Sequence, residues 1–262
     1  MNENRLKWNA ELYQKSSALQ FQLGLMAIER LKPRKEDIIL EIGCGNALIT
    51  IELAKLIPNG KIIAVEMSKE MTEQAKLNLL KQNVTNVEII NMNALDIDFI
   101  EKFDIVFSNS AMHWITNLEV IYALIFKALK RNGRIMIQTG LKSVNLMVKT
   151  VYSILQNNKY KYYLKDFKSP WKFLTIGETN NLLEDIGFID IQIDPYEHRM
   201  VFNSEDELAN YFATSTLVPF LNILPDTEKE LFKEDFLQNY LKLSQSKELE
   251  LITQRLFINA KK

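Results

Sequence analysis

Short apolar runs alternate with stretches of helical apolar spacing along most of this chain. Ile38-Ile39-Leu40 follows the polar stretch Pro33-Arg34-Lys35-Glu36-Asp37 and reads as a buried strand entered from a surface turn. Leu48, Ile49, Ile51, Leu53, Ala54 and Ile57 then recur at helical spacing until Pro58-Asn59-Gly60 stops the helix, and Ile62-Ile63-Ala64-Val65 forms a second apolar run. Continued in this way, the pattern predicts strands near 38 to 42, 61 to 66, 87 to 90, 103 to 108, 133 to 139 and 188 to 193, with helices between them. Alternation of this kind predicts an α/β fold with a doubly wound, mostly parallel sheet. Before the first strand, Leu12, Leu19, Leu23, Met26, Ala27 and Leu31 form a partial stripe ending at Pro33, so residues 1 to 35 are predicted as an N-terminal helical cover. Residues 36 to 262 form one main domain, with helical cap insertions near 141 to 178 and 203 to 247. The second insertion opens on Ser204 and Glu207, spaced as a capping box.

The turn after the first strand carries the chemistry. Gly43 and Gly45 in Glu41-Ile42-Gly43-Cys44-Gly45 permit backbone angles and a close ligand approach that a Cβ would block. The second strand delivers Glu66, 21 positions after Gly45, where a carboxylate can accept from both hydroxyls of a ribose. The third glycine of a dinucleotide fingerprint is missing, with Ala47 in the nearest position. Glu41 beside the turn would repel a diphosphate and welcome a cation. A cationic nucleoside is therefore favoured over NAD.

These residues resemble the seven-strand S-adenosylmethionine (SAM) methyltransferase family. In that family a motif like Glu41 to Gly45 wraps the methionine part of the cofactor, and an acid like Glu66 holds the ribose. The segment from Glu66 to Ala75 is similar to the family's second-strand segment, where a residue like Met67 packs on adenine. Asn93-Ala94-Leu95-Asp96 resembles the loop whose first residue, usually Asp, bonds the adenine amino group. Phe103 to Asn109 resembles the fourth strand and Leu129 to Arg134 the turn before the fifth. The resemblance implies SAM as cofactor, S-adenosylhomocysteine as product, and a cofactor site drawn from Tyr13, Glu41, Gly43, Gly45, Glu66, Met67, Asn93, Ala94, Ser108 and Asn109. It also implies a seventh, antiparallel strand, placed over Leu249 to Ala260.

Two further segments give finer resolution. Trp8 to Tyr13 with Ser17 to Gln20, and Ala111-Met112-His113-Trp114-Ile115, resemble the trans-aconitate and juvenile hormone acid methyltransferases, and the malonyl-carrier enzyme shares much of the pattern. In those relatives a Gln like Gln20 and a Trp like Trp114 line the pocket of the substrate carboxylate. The implied partner is a small-molecule carboxylic acid, with an acyl carrier as the alternative. A SAM-binding regulator without turnover is the reading of a different class.

Composition narrows the field. With 32 Lys plus Arg against 33 Asp plus Glu in 262 residues, no strong field favours nucleic acid. The single cysteine, Cys44, gives no internal disulfide and fits a reducing compartment. The N-terminal Met1-Asn2-Glu3-Asn4-Arg5 lacks a basic-then-apolar signal pattern and no apolar run approaches 18 residues, so a cytoplasmic protein with no membrane partner is expected. No metal is expected, because Asp96, Asp98 and Asp104 have ready roles as turn residues and there are only two histidines.

Methyl transfer from a sulfonium is an in-line displacement, so the protein mainly has to hold a nucleophile and exclude water. A carboxylate is already ionised at neutral pH and needs no base. Gln20, Trp114 and His113 can orient it as neutral donors. His113 can equally be structural, or act as base toward a hydroxyl acceptor; Trp114 can instead be core, its pocket role being what the resemblance implies. The cluster Tyr160-Tyr162-Tyr163-Phe167-Trp171-Phe173 is either a substrate wall or the cap's own core. Arg199 is a candidate partner for a second substrate carboxylate.

Overall fold

A computed structural model describes residues 18–143, 146–156, 158–244 and 246–262. Its elements in chain order are α1 (Ala18–Leu31), β1 (Ile38–Ile42), α2 (Leu48–Leu56), β2 (Lys61–Glu66), α3 (Lys69–Lys81), β3 (Val87–Asn91), β4 (Phe103–Asn109), α4 (Leu118–Ala128) and β5 (Leu129–Gly140). They continue with α5 (Leu146–Leu155), α6 (Asn158–Leu164), α7 (Ile176–Ile186), β6 (Ile189–Val201), α8 (Glu205–Thr214), α9 (Val218–Leu221), α10 (Asp226–Ser244) and β7 (Glu250–Lys261). Single 3-10 turns lie at Ala94–Asp96 and Met112–Trp114.

The seven strands form one sheet in the order β3-β2-β1-β4-β5-β7-β6. β1 pairs in parallel with β2 and β4, β2 with β3, and β4 with β5, whereas β7 runs antiparallel to β5. The side-chain pairs Asp190–Lys261, Glu197–Gln254 and Arg199–Glu250 join β6 to β7 in opposite senses, so this pair is antiparallel too. The order reverses between β1 and β4. Their carboxyl ends, Ile42 and Asn109, therefore flank the crevice where an open α/β sheet binds its ligand.

Chain contacts divide the described residues into two units. The sheet unit holds residues 18 to 141, 171 to 196 and 255 to 262, and the helical unit holds residues 142 to 170 and 197 to 254. In the sheet unit Leu40, Ile63, Val65, Val106, Ile121, Ile125, Ile135, Ile137 and Ile258 close one aliphatic core, as expected of strands covered on both faces. The helical unit is packed from rings. Phe212 lies 5.1 Å from Phe236 and 4.9 Å from Tyr240, and Phe220 lies 5.6 Å from Phe232.

Three expectations change. The fifth strand starts at Leu129 rather than 133, because Phe103 pairs with Leu129 and the register then slips, with Ile105 opposite Arg134. The expected turn survives as a bulge, with Asn132 at φ 64°. The sixth strand runs on to Val201; Pro195, which lacks an N–H, is tolerated because β6 is the sheet's edge. The capping box at Ser204 is half present: Ser204 Oγ accepts from Glu207 N at 3.2 Å, but the Glu207 carboxylate accepts from Asn203 N instead. A complete capping box forms instead at Thr175 and Glu178, opening α7.

Candidate cofactor and acceptor site

The turn after β1 is held open by its backbone. Gly43 and Gly45 lie at φ 72° and 55°, in the left-handed region that side chains disfavour. A Cβ on Gly43 would stand 2.3 Å from the Ala111 Cβ, whereas one on Gly45 would meet nothing within 4 Å. The first glycine thus permits close packing against the loop after β4, and the second leaves bare backbone facing open space. Ala47 takes φ 63° at the start of α2, the conformation a third glycine would have adopted with less strain.

Glu66 ends β2 with its carboxylate already aimed. Oε2 accepts from Gly45 N at 3.0 Å and Oε1 from Ser68 N at 2.9 Å. Each oxygen keeps a second lone pair for a ligand hydroxyl. Burial raises its pKa, and the hydrogen bonds from the Ser68 and Gly45 backbone hold the rise back. Met67 beside it is 39% exposed, an apolar face open to a planar partner.

Glu41 is the most unusual group. It is 2% exposed and its Oε2 has no hydrogen-bond partner. Burial pushes its pKa up to about 7; the Thr50 hydroxyl alongside offsets part of that rise and Glu66 adds to it. A positively charged group is what this acceptor lacks. Cys44, also buried, has its thiol pKa raised well above the ordinary value by burial and by the charges of Glu41 and Glu66, so it stays a neutral packing residue.

The remaining residues expected at the cofactor site divide. Asn93 caps the first 3-10 turn, its Oδ1 accepting from Leu95 N at 3.0 Å, and Ala94 follows it. Asn109 donates through Nδ2 to the Gln20 carbonyl at 2.8 Å, and its Oδ1 is buried without a partner. Ser108 is fully buried and donates to the Ile42 carbonyl at 2.9 Å, which commits its hydroxyl to joining β4 to β1. Tyr13 lies outside the described residues. Asn91 had no place in the sequence reading. It stands opposite Glu66 in the β2–β3 register and donates to the Glu66 and Met67 carbonyls at 2.9 and 3.0 Å, fixing the loop that presents both side chains. A polar residue ending an apolar strand was its only signal.

On the acceptor side, the Gln20 Oε1 is buried without a partner. His113 is 8% exposed, with Nδ1 3.2 Å from Thr139 Oγ1 and its ring stacked on Phe173 at 5.3 Å. Burial and then the charge of Arg255 push its pKa down to about 3, so the ring is neutral. Trp114 lies 5.8 Å from His113 and 5.7 Å from Trp171, centroid to centroid. The aromatic run is therefore split. Trp171 and Phe173 join the Trp114–His113 group, whereas Tyr160 and Phe167 pack within the helical unit on Phe232 and Phe220. Tyr162 is 77% exposed and belongs to neither core. Arg199 does not await a substrate: its guanidinium is held by Glu248 and Glu250. The glutamates that satisfy it lie on and just before the last strand, a pairing no local pattern announces. Among the described residues no group of three His, Cys, Asp or Glu side chains could hold a metal ion, and no helix is long and apolar enough to cross a membrane.

A seven-strand sheet with a bare glycine turn, a carboxylate aimed from the end of β2 and a buried acid short of a positive partner fit a nucleoside-binding α/β protein. Residues 33–180 match the family described as "Methyltransferase domain", and the chain belongs to it. It is a SAM-dependent methyltransferase. The chain is 26% identical over 247 residues to the juvenile hormone acid O-methyltransferase of Drosophila melanogaster, covering 90% of this chain and 82% of that one. It is 28% identical over 141 residues to the malonyl-[acyl-carrier protein] O-methyltransferase of Bacillus cereus, covering 52% of this chain and 51% of that one. Among solved structures, the YcgJ protein of Bacillus subtilis superposes with a TM-score of 0.64 at 16% identity, over 92% of this chain and 97% of that one. The Haemonchus contortus phosphoethanolamine N-methyltransferase 2 in complex with S-adenosyl-L-methionine gives 0.62 at 18% identity, over 97% of this chain and 56% of that one. The residues of this chain fit that cofactor: the orphaned Glu41 oxygen suits its positive charge, and the empty space over Gly45 suits a ligand lying on the turn.

Proposed function

We propose that this methyltransferase esterifies the carboxylate of a small organic acid. The observation that carries the reading is the setting of His113 on the acceptor side: buried, with Nδ1 3.2 Å from Thr139 Oγ1, its ring stacked on Phe173 and its pKa pushed down by burial, it is poorly placed to take a proton from a hydroxyl acceptor. The acceptor then has to arrive with its nucleophilic electrons already free, and a carboxylate does. Relatives named for juvenile hormone acid and for malonyl carrier support the same acceptor chemistry.

The cofactor, when bound, supplies an electrophilic methyl on a sulfonium. Glu66 takes the ribose hydroxyls, Met67 packs on adenine, Asn93 and Ala94 border the base, and Glu41, Gly43, Gly45 and Asn109 surround the methionine part. By resemblance, Tyr13 is a further candidate for contact with the cofactor. The Gln20 amide and the Trp114 indole N–H orient the acceptor carboxylate as neutral donors, which keeps the attacking oxygen nucleophilic. Trp114, Trp171 and Phe173 exclude water. His113 orients and does not titrate. Cys44 fits a reducing, cytoplasmic setting.

Labelled-methyl transfer against a panel of free acids, acyl carriers and phenols tests this. A free acid should give a product that loses its label in mild base, as an ester does. A base-stable product from every pool contradicts the reading. Preferential labelling of a malonyl carrier would move the acceptor to the carrier-bound form, for which exposed Lys165, Lys168 and Lys172 offer cationic contacts.

A further inference from the structure

We propose that Asn109, the last residue of β4, is a positioning residue that couples the cofactor to the acceptor. Its Oδ1 takes the ammonium of the cofactor's amino acid end while its Nδ2 holds α1, so that cofactor binding fixes Gln20 for the acceptor. The task given to Gln20 rests on the carboxylate reading above; the coupling through Asn109 does not.

The amide of Asn109 is half committed. Nδ2 donates to the Gln20 carbonyl at 2.8 Å, whereas Oδ1 is shielded from solvent without a partner. A buried acceptor left unmet is costly, so this oxygen is matched to a donor that arrives with a ligand. Its place on the sheet says which ligand. Strand side chains alternate between faces, so Asn109, two residues beyond Phe107, shares the face of Phe107 and of Glu41, the register partner of Phe107 on β1. Glu41 Oε2 is an unmet acceptor on that same face. Two shielded acceptors on adjacent strands, one of them a carboxylate, suit a cation with several donors. The ammonium of S-adenosylmethionine has three N–H groups and a positive charge.

The other half of the amide controls a helix. Gln20 lies in the first turn of α1, and one turn on, a Cβ at Gly24 would stand 2.9 Å from Asn109 Nδ2 and 2.5 Å from the Ile49 side chain. Here α1 has no slack against β4 and α2. The far end of α1 is tied without any ligand, because Arg134 Nη2 donates to the carbonyls of Leu31 and Lys32 at 2.9 and 3.1 Å. The cofactor therefore acts on the first two turns. An amide whose oxygen meets a cation becomes a stronger donor through its nitrogen, so an ammonium on Oδ1 tightens the bond to Gln20. The Gln20 side chain, its Oε1 also buried and unmet, is thereby placed, and the acceptor binds second.

Hydrogen exchange on the full chain tests this in three states: ligand-free, with S-adenosylhomocysteine, and with 5′-methylthioadenosine, which has the nucleoside but no amino acid end. S-adenosylhomocysteine should slow the amides of residues 22 to 26 about tenfold and leave residues 27 to 31 nearly unchanged. Saturating 5′-methylthioadenosine should leave both stretches unchanged. Asn109→Asp keeps an acceptor and loses the donor, so it should still bind S-adenosylhomocysteine while the added protection of residues 22 to 26 vanishes. In turnover its KM for the acid should rise. Equal protection by the two nucleosides, or added protection retained in Asn109→Asp, overturns the inference, and the first comparison needs no variant to fold. The two proposals fail separately. Protection that depends on Asn109, with no ester formed, removes the esterification reading alone. Ester formed while S-adenosylhomocysteine leaves α1 unprotected removes only the role of Asn109.

Discussion

The core of the sheet unit is mainly aliphatic and that of the helical unit is rich in rings, and the two differ in how much of their purpose is written locally. In the sheet unit, Ile39, Ile42, Ile62 and Ile63 are buried on β1 and β2, whose carboxyl ends present Gly43, Gly45 and Glu66. Packing and chemistry there share the same short segments. In the helical unit, Tyr160, Phe212, Phe220, Phe232, Phe236 and Tyr240 are buried against one another, and Tyr160 donates to Asp235 at 2.5 Å. None of these rings belongs to a motif.

The largest effect should come from the ring core. Phe212→Ala should cost about 3 to 5 kcal/mol, because removing a fully buried ring leaves a cavity its neighbours fill only in part. Chemical denaturation measures this, and S-adenosylhomocysteine affinity should stay within about twofold of the parent. Collapse of cofactor binding in this variant would erase the distinction between the units.

Glu66→Ala is the converse. It should weaken cofactor and product binding at least tenfold, about 1.4 kcal/mol or more, by calorimetry, while the helical unit's protection from hydrogen exchange is retained.

Acidity sharpens the comparison within the sheet unit. Burial raises the Glu41 pKa from 4.5 to about 7, so the folded protein keeps a proton that the unfolded chain releases across that window. Its contribution to stability is complete below about pH 4.5 and falls as pH rises toward about 7. The thermal midpoint of the ligand-free protein should therefore carry a downward component across this range that Glu41→Gln removes. Cofactor affinity should move the other way, rising through about pH 7 as the carboxylate ionises to meet a positive ligand. Opposite slopes in midpoint and affinity would identify one buried group behind both.

Most of the sheet was legible because its strands announce themselves twice, by apolar runs and by the residues that end them. The glycine turn and Glu66 stand together because β1 and β2 pair in register, which their spacing predicts. The bulge at Asn132 and the extension of β6 past Pro195 were not legible, since each depends on a neighbouring strand rather than on local propensity. The acceptor side was partly legible. Gln20, His113 and Trp114 stood out by resemblance, but the burial of His113 and its contact with Thr139 arise from segments far apart in the chain. Arg199 shows the same limit from the other direction, because its glutamate partners lie about fifty residues away.

The central claim is that the acceptor brings its own charge and the protein supplies no base. The most direct measurement is kcat against pH with cofactor and acid acceptor both saturating. It should be flat from about pH 6 to about pH 9, because a carboxylate is ionised throughout and His113 does not titrate there. An ascending limb near neutrality, lost in His113→Gln, would show a proton being removed from the acceptor and would contradict the account.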